Sequence, residues 1–425
     1  MMHVNRKKWR CVSTLLCSAV VFIVLISVSS TVRARDDWPQ WRGIHRDGIS
    51  AETGLVKGWD EGGPKILFRL PAGDGYSGVV VSRFRLITML SEAKTPDEFV
   101  VCHSLKMKNK REVWRTRIDS RFNNQFGDGP RSTPSLDGKF VFALSAKGTL
   151  AAIDIRDGLM LWQHNLPQEY GAKVPQWGVS TSPLVYEDKL LVDVGGGNGF
   201  GFVAFDKETG KVLWKTPTEL PGYSAPIAVT VHGQQQVLCL TGNSLISVDP
   251  ETGRKYWDYP WETSYDVNAA TPIFIAPDKV FVSSGYGTGG AVLRIKPQGA
   301  GSSREVVWKS KIMRNKFSSS ILVSGHLFGF DEATLKCIDV ETEETKWMTR
   351  GLGKGSLMVA DGQLIILGEK GKLVLAEANT SRYVENARAQ VLTGKCWTMP
   401  TLSNGILYLR NQKEIVAIDL RRFKQ

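Results

Sequence analysis

Eight residues of this chain are suited to holding a ligand rather than to reacting with one. Tyr76, Trp177, Tyr223 and Trp397 carry aromatic faces, Arg131, Lys316 and Lys354 carry positive charge, and Asn268 carries an amide. Such a set can hold a peptide, a glycan or an anion, because ring faces pack against apolar groups and cations meet carboxylates. Reactive constellations are missing. Beyond residue 34 the histidines (His45, His103, His164, His232, His326) are scattered, with neither HExxH nor paired ligand spacing, so no metal is expected. GYGTGG fits GxGxxG at Gly285, Gly287 and Gly290, but AVLRIKP follows it, a strand where a phosphate-binding helix is required. No GxSxG nucleophile turn occurs, and the catalytic residues stay unassigned.

The cysteines beyond residue 34 are Cys102, Cys239, Cys337 and Cys396. Four thiols allow three pairings, and sequence does not choose among them. VVCHS, VLCLT and LKCID read as strand interior, whereas GKCWTMP places Cys396 in a connection.

What positions the eight residues is a repeat. LAAIDIRDGLMLW (150–162), FVAFDKETGKVLW (202–214), LISVDPETGRKYW (245–257) and LKCIDVETEETKW (335–347) each place Asp eight residues before Trp. Three of them place Gly four after the Asp, at Gly158, Gly210 and Gly253. The pattern reads as a hairpin: a strand ends at the Asp, whose carboxylate accepts from turn amides. Gly takes the positive-φ position, and a second strand leads to a Trp that packs between sheets. Ahead of each hairpin stands another strand pair, opened by small hydroxyl residues as in STPSLDGKFVFALS, STSPLVYEDKLLVDV and SSSILVSGHLFGFD. Less regular copies begin at Tyr76, Gly355 and Trp397.

Four strands per unit, with Trp114, Trp162, Trp214, Trp257, Trp308 and Trp347 spaced 39 to 52 residues apart, is the period of a β-propeller. The expected fold is all-β, an eight-bladed β-propeller of four-stranded antiparallel blades spanning 65–425. The last copy runs out after Asp419, and GGPKILFRL (62–70) looks like an outer strand without its three partners. An N-terminal strand should therefore complete the C-terminal blade and remove an open edge. In a propeller the segments leading into the innermost strands converge on the central channel. These segments carry the eight residues named above, which makes them the candidate channel rim.

Arg6, Lys7, Lys8 and Arg10, then an uncharged run from Cys11 to Val32 and the exit Val32-Arg33-Ala34, read as a secretory signal over 1–34. An uncleaved anchor is the alternative. The chain is then periplasmic or secreted, and touches a membrane only through that segment or through partners. Net charge +12 falls to +7 without the five basic residues of 1–34, and the remainder is spread out. No nucleic-acid role is expected, and the chain should be monomeric. The lead-in 35–64 opens with DWPQWRGIHRDGIS, whose Trp38 and Trp41 are expected to anchor it to the ring, with Arg42 able to stack on an indole.

The unit ending in DKETGKVLW resembles the PQQ-like (pyrroloquinoline quinone-like) propeller repeat, shared by quinoprotein alcohol dehydrogenases and the outer-membrane assembly lipoprotein BamB. WPQWRG, WGVSTSP, YDVNAATPI, SGYGTG and GKCWT resemble exported PQQ-like repeat proteins. The dehydrogenase resemblance implies PQQ held between a tryptophan floor and a disulfide of adjacent cysteines, with calcium on carboxylate and amide groups and an Asp as base. Trp177 or Trp397 could be that floor, and Asp266 with Asn268 could hold the cation. No two cysteines are adjacent and no CxxCH is present, so no catalytic residue is carried over. The preferred expectation is a non-catalytic scaffold with protein or peptide partners in the cell envelope and no assigned cofactor. A PQQ- and calcium-dependent dehydrogenase and a glycan-binding propeller are the alternatives.

Overall fold

The computed structural model describes Met1 and residues 37–106, 110–299 and 301–422. Contacts divide the chain into Met1–Ala34 and Arg35–Gln425. The expected export signal, after Met1, lies outside the described residues. No helix among the described residues is long and apolar enough to cross a membrane.

Arg35–Gln425 builds eight antiparallel blades of four strands. Seven of them run in chain order, from Val80–Ser120 as blade 1 to Ser356–Gln390 as blade 7. Blade 8 takes three strands from Thr401–Asp419, and its outer strand is Ile66–Pro71, paired antiparallel with Glu414–Asp419. Arg69 faces Val416 and Leu70 faces Ile415 in that pairing. Leu70, Val79, Val81, Tyr408 and Ile415 share one buried cluster, so the seam between blades 8 and 1 is sealed by side chains from both ends of the propeller. The first strands of successive blades touch one another, as Leu184–Tyr186 does with Ser135–Asp137, and so line the axis.

The Asp–Gly–Trp repeat proves to be a staple between blades. Asp206 accepts from the amides of Glu208 and Thr209, and the amide of Gly210 donates to the Asp206 carbonyl. Gly210 has φ +75°, and a Cβ there would stand 2.9 Å from the indole of Trp162 in the preceding blade. Trp162 also donates its indole N–H to the Lys207 carbonyl at 3.1 Å. Trp114, Trp214 and Trp308 do the same to Ile155, Pro250 and Val340. Each glycine therefore serves two needs, a left-handed backbone and a bare surface for the neighbouring indole. Blade 5 replaces this turn with a long hairpin (Gly289–Gln298, Gly301–Ser310), and the indole nitrogen of Trp257 before it has no partner among the described residues.

Blade 6 keeps the turn but puts Glu343 at the glycine position, with φ +62°. A side chain in the left-handed region costs about 1 kcal/mol. Glu343→Gly is therefore expected to raise the urea midpoint by an amount equivalent to about 1 kcal/mol, less the extra freedom glycine gives the unfolded chain. An unchanged or lower midpoint would contradict the assignment of strain to that turn.

Asp193, at the end of the second strand of blade 3, is 2% exposed. One carboxylate oxygen accepts from the Gly222 amide at 2.8 Å, and the other has no partner among the described residues. Burial pushes its pKa up to about 7. An unfolded Asp titrates near 4, so between about pH 4 and 7 the unfolded chain binds fewer protons and stability falls as pH rises. Asp193→Asn should remove on the order of 2 kcal/mol of that decline. Urea midpoints of both proteins at pH 4.5 and 7.5 check this, and identical declines would refute it.

Candidate functional site

The segment from Asp37 to Val56 does more than fasten the N-terminus. Trp38 exchanges backbone hydrogen bonds with Val81 of blade 1, and the Pro39 carbonyl accepts from Leu136 of blade 2. Trp41 donates its indole N–H to Thr271, ahead of blade 5, at 3.0 Å. Ile49–Ser50 pairs in parallel with Val359 and Ala360, adding a fifth, innermost strand to blade 7. Gly48 lies against Ile321 of blade 6 and Met399 ahead of blade 8. Only the channel is adjacent to the inner strands of all these blades, so the segment is a plug inside it.

Two buried arginines hold the plug. Arg46 donates through Nε to Gln40, through Nη1 to the carbonyls of Ser182 and Pro226, and through Nη2 to Ser135 and the Pro183 carbonyl. Arg42 donates to the carbonyls of Arg46, Asp47 and Ser320. Burial lowers their pKa values to about 9 and about 10, which leaves both protonated at neutral pH. An arginine can be buried this way because five N–H groups meet carbonyls that strand ends leave unpaired at the axis. The expected anchor is therefore present, with the Arg42 guanidinium turned to carbonyls.

Above the plug opens a cavity of about 410 Å³, a size suited to a small molecule or the end of a chain. All eight connections leading into first strands reach it. Tyr76, Arg131, Trp177, Tyr223, Lys316, Lys354 and Trp397, expected at the rim, all line it. Asn268 does not. It is fully buried, donating to the carbonyls of Thr241, Gly242 and Trp261 and accepting from Ser284, so its place at the rim is corrected to a clamp between blades 4 and 5. An amide with that many partners available is drawn inward.

Four aromatic walls were not anticipated: Trp41, Phe126, Tyr286 and Phe317. Trp41 comes from the plug and Tyr286 from a turn inside blade 5, so neither sits in a connection between blades. Trp397 lies between Tyr76, stacked at 5.4 Å, and Phe317 at 4.9 Å. Trp177 meets Phe126, Tyr223 and Tyr265 at 6.0 to 6.4 Å, and Tyr265 meets Tyr286. Phe126, Tyr265 and Tyr286 remain 44%, 67% and 38% exposed around the mouth.

The charges differ in availability. Arg131 is tied to the carbonyls of Trp177, Gly129 and Gly127, and burial lowers its pKa. Lys316 holds its Nζ 4.3 Å from the centre of the Tyr286 ring, and Lys354 is close enough to oppose the burial that raises the Tyr286 phenol. Neither lysine forms an ion pair among the described residues. The nearby acids are engaged: Glu332 accepts from the Tyr286 amide, and Glu369 from the Trp397 indole and the Lys354 amide. Burial pushes the Tyr76 and Tyr223 phenols up to about 12, so both are neutral donors at pH 7.

The PQQ_2 family model, described as outer membrane protein assembly factor BamB, matches residues 97–349. The chain belongs to this family. It is 29% identical over 136 residues to a 1-butanol dehydrogenase (quinone) of Thauera butanivorans, covering 28% of the chain and 21% of that relative. The chain thus matches about a fifth of the relative's length. Among solved structures, BamB from Moraxella catarrhalis superposes with a TM-score of 0.61 at 14% identity, over 84% of this chain and 99% of that one. Quinohemoprotein alcohol dehydrogenase from Comamonas testosteroni also gives 0.61, at 11% identity over 92% and 81%. At such identities both superpositions show the fold alone.

The dehydrogenase side of this kinship invites a test of the residues for PQQ and calcium. The four cysteines among the described residues, Cys102, Cys239, Cys337 and Cys396, are buried and free. No group of three or more His, Cys, Asp or Glu suited to a metal exists among the described residues. Asn268, the amide that would hold calcium beside Asp266, is buried with its oxygen accepting from Ser284, whereas Asp266 is exposed. This donor set does not fit calcium with PQQ.

Proposed function

We propose that the chain is an exported, non-catalytic binding propeller of the cell envelope, whose ligand enters the blind pocket above the plug. The observation that carries this reading is the chemistry of the pocket wall: aromatic rings and two lysines that form no ion pair among the described residues, with no Asp, Glu, His or Cys among the lining side chains. The family's description as an assembly factor supports a binding role, with envelope proteins or peptides as further partners on the outer surface.

The competing reading is a quinoprotein dehydrogenase with a reduced site. Purified protein mixed with PQQ and calcium should show no dye-linked oxidation of primary alcohols above the buffer rate. Turnover that disappears in Trp177→Ala would overturn the non-catalytic reading.

A further inference from the structure

The pocket's geometry also narrows the class of ligand. Resting on the binding reading above, we propose that it takes the end of an acidic saccharide, a pyranose carrying a carboxylate. Three features point there. Most ring pairs at the mouth are tilted: Trp177 meets Tyr223 at 46° and Tyr265 at 81°, and Tyr265 meets Tyr286 at 66°, while Tyr76 and Trp397 stack at 27°. A pyranose presents C–H groups in several directions and packs against tilted rings, while its hydroxyls meet phenol and amide edges such as Tyr223 and Asn124.

The second feature is charge. Lys316 and Lys354 both line the pocket, Lys316 with its Nζ 4.3 Å from the centre of the Tyr286 ring, and the nearby carboxylates of Glu332 and Glu369 accept from backbone and indole N–H groups without forming ion pairs with either lysine. A ligand carboxylate there would meet two cations in a partly dry site, where charge pairing counts for more than on an open surface. The third feature is the closed floor. Trp41 blocks the channel, so a polymer cannot thread through and must enter by an end. A peptide strand cannot add to the inner edge of blade 7. That edge is already paired with Ile49–Ser50.

Calorimetric titration of the purified protein with sodium glucuronate, glucose and a short oligoglucuronate tests this. Glucuronate should bind at least about tenfold more tightly than glucose, and Lys316→Gln with Lys354→Gln should erase the difference. Raising salt should weaken glucuronate and leave glucose unchanged. The oligomer should bind one protein per chain, with affinity close to that of the monomer. Equal binding of the two sugars, no binding of either, or several proteins per oligomer would overturn the proposal. PQQ binding without turnover, in a protein that ignores glucuronate, would remove the saccharide and leave the non-catalytic reading standing. PQQ-dependent turnover would remove both.

Discussion

Arg46→Met is expected to lower stability by about 3 kcal/mol and to release the plug from the channel. The guanidinium is 3% exposed and donates to five acceptors contributed by the plug and by blades 2, 3 and 4. Methionine fills similar volume but leaves the carbonyls of Ser182 and Pro226 without their Arg46 donor where water enters poorly, while the Pro183 carbonyl keeps the Ser135 hydroxyl. Each loss costs about 1 kcal/mol or more. Removing a buried charge recovers part of its desolvation, which keeps the net near the lower end of what breaking a buried ionic network costs. Arg46→Lys should fall between, because an ammonium has three donors and no planar fork. Limited proteolysis reads the release: cuts should appear within 37–56 of the methionine variant while the blades resist. An unchanged melting profile and cleavage pattern would show that the plug is held by something else.

Leu70→Asp is expected to have the larger effect. Leu70 is 8% exposed in the cluster that joins Ile66–Pro71 to blades 8 and 1. A carboxylate at that position must be neutralised or drag the closing strand outward, at a cost of several kcal/mol. The Glu414–Asp419 strand would then become an open edge, and aggregation should accompany the loss of stability. Leu67→Asp is the internal control. The same strand presents Leu67 at 39% exposure, so its substitution should change the urea midpoint by less than about 0.5 kcal/mol. Two equal responses would contradict closure by this strand.

Much of the ring was legible because its rules are local. Asp206, Gly210 and Trp214 repeat at spacings that one turn and one blade contact impose, so four copies suffice to give the period. Tyr76, Trp177 and Trp397 could be placed at the pocket because connections ahead of inner strands must meet at the axis. What could not be read depends on chain segments far apart in sequence. Trp41 becomes a floor only because Arg46 reaches carbonyls 136 to 180 residues away. Asn268 leaves the rim for partners whose carbonyls belong to the turn at Thr241 and the strand end at Trp261. The parallel pairing of Ile49–Ser50 left no alternating pattern, since two residues are too few to show one.

The pocket exists only if the N-terminal segment is folded into the channel, and amide hydrogen exchange on the purified protein tests that most directly. The amides of Trp38 and Gly48, bonded to Val81 and Arg42, and that of Val359, bonded to Gly48, should exchange as slowly as those in the blade strands. In Arg46→Met all three should speed up together while Val100 and Leu191 stay protected. Exchange of 38–49 at the rate of an open chain in the unaltered protein would contradict the plug and the pocket built on it.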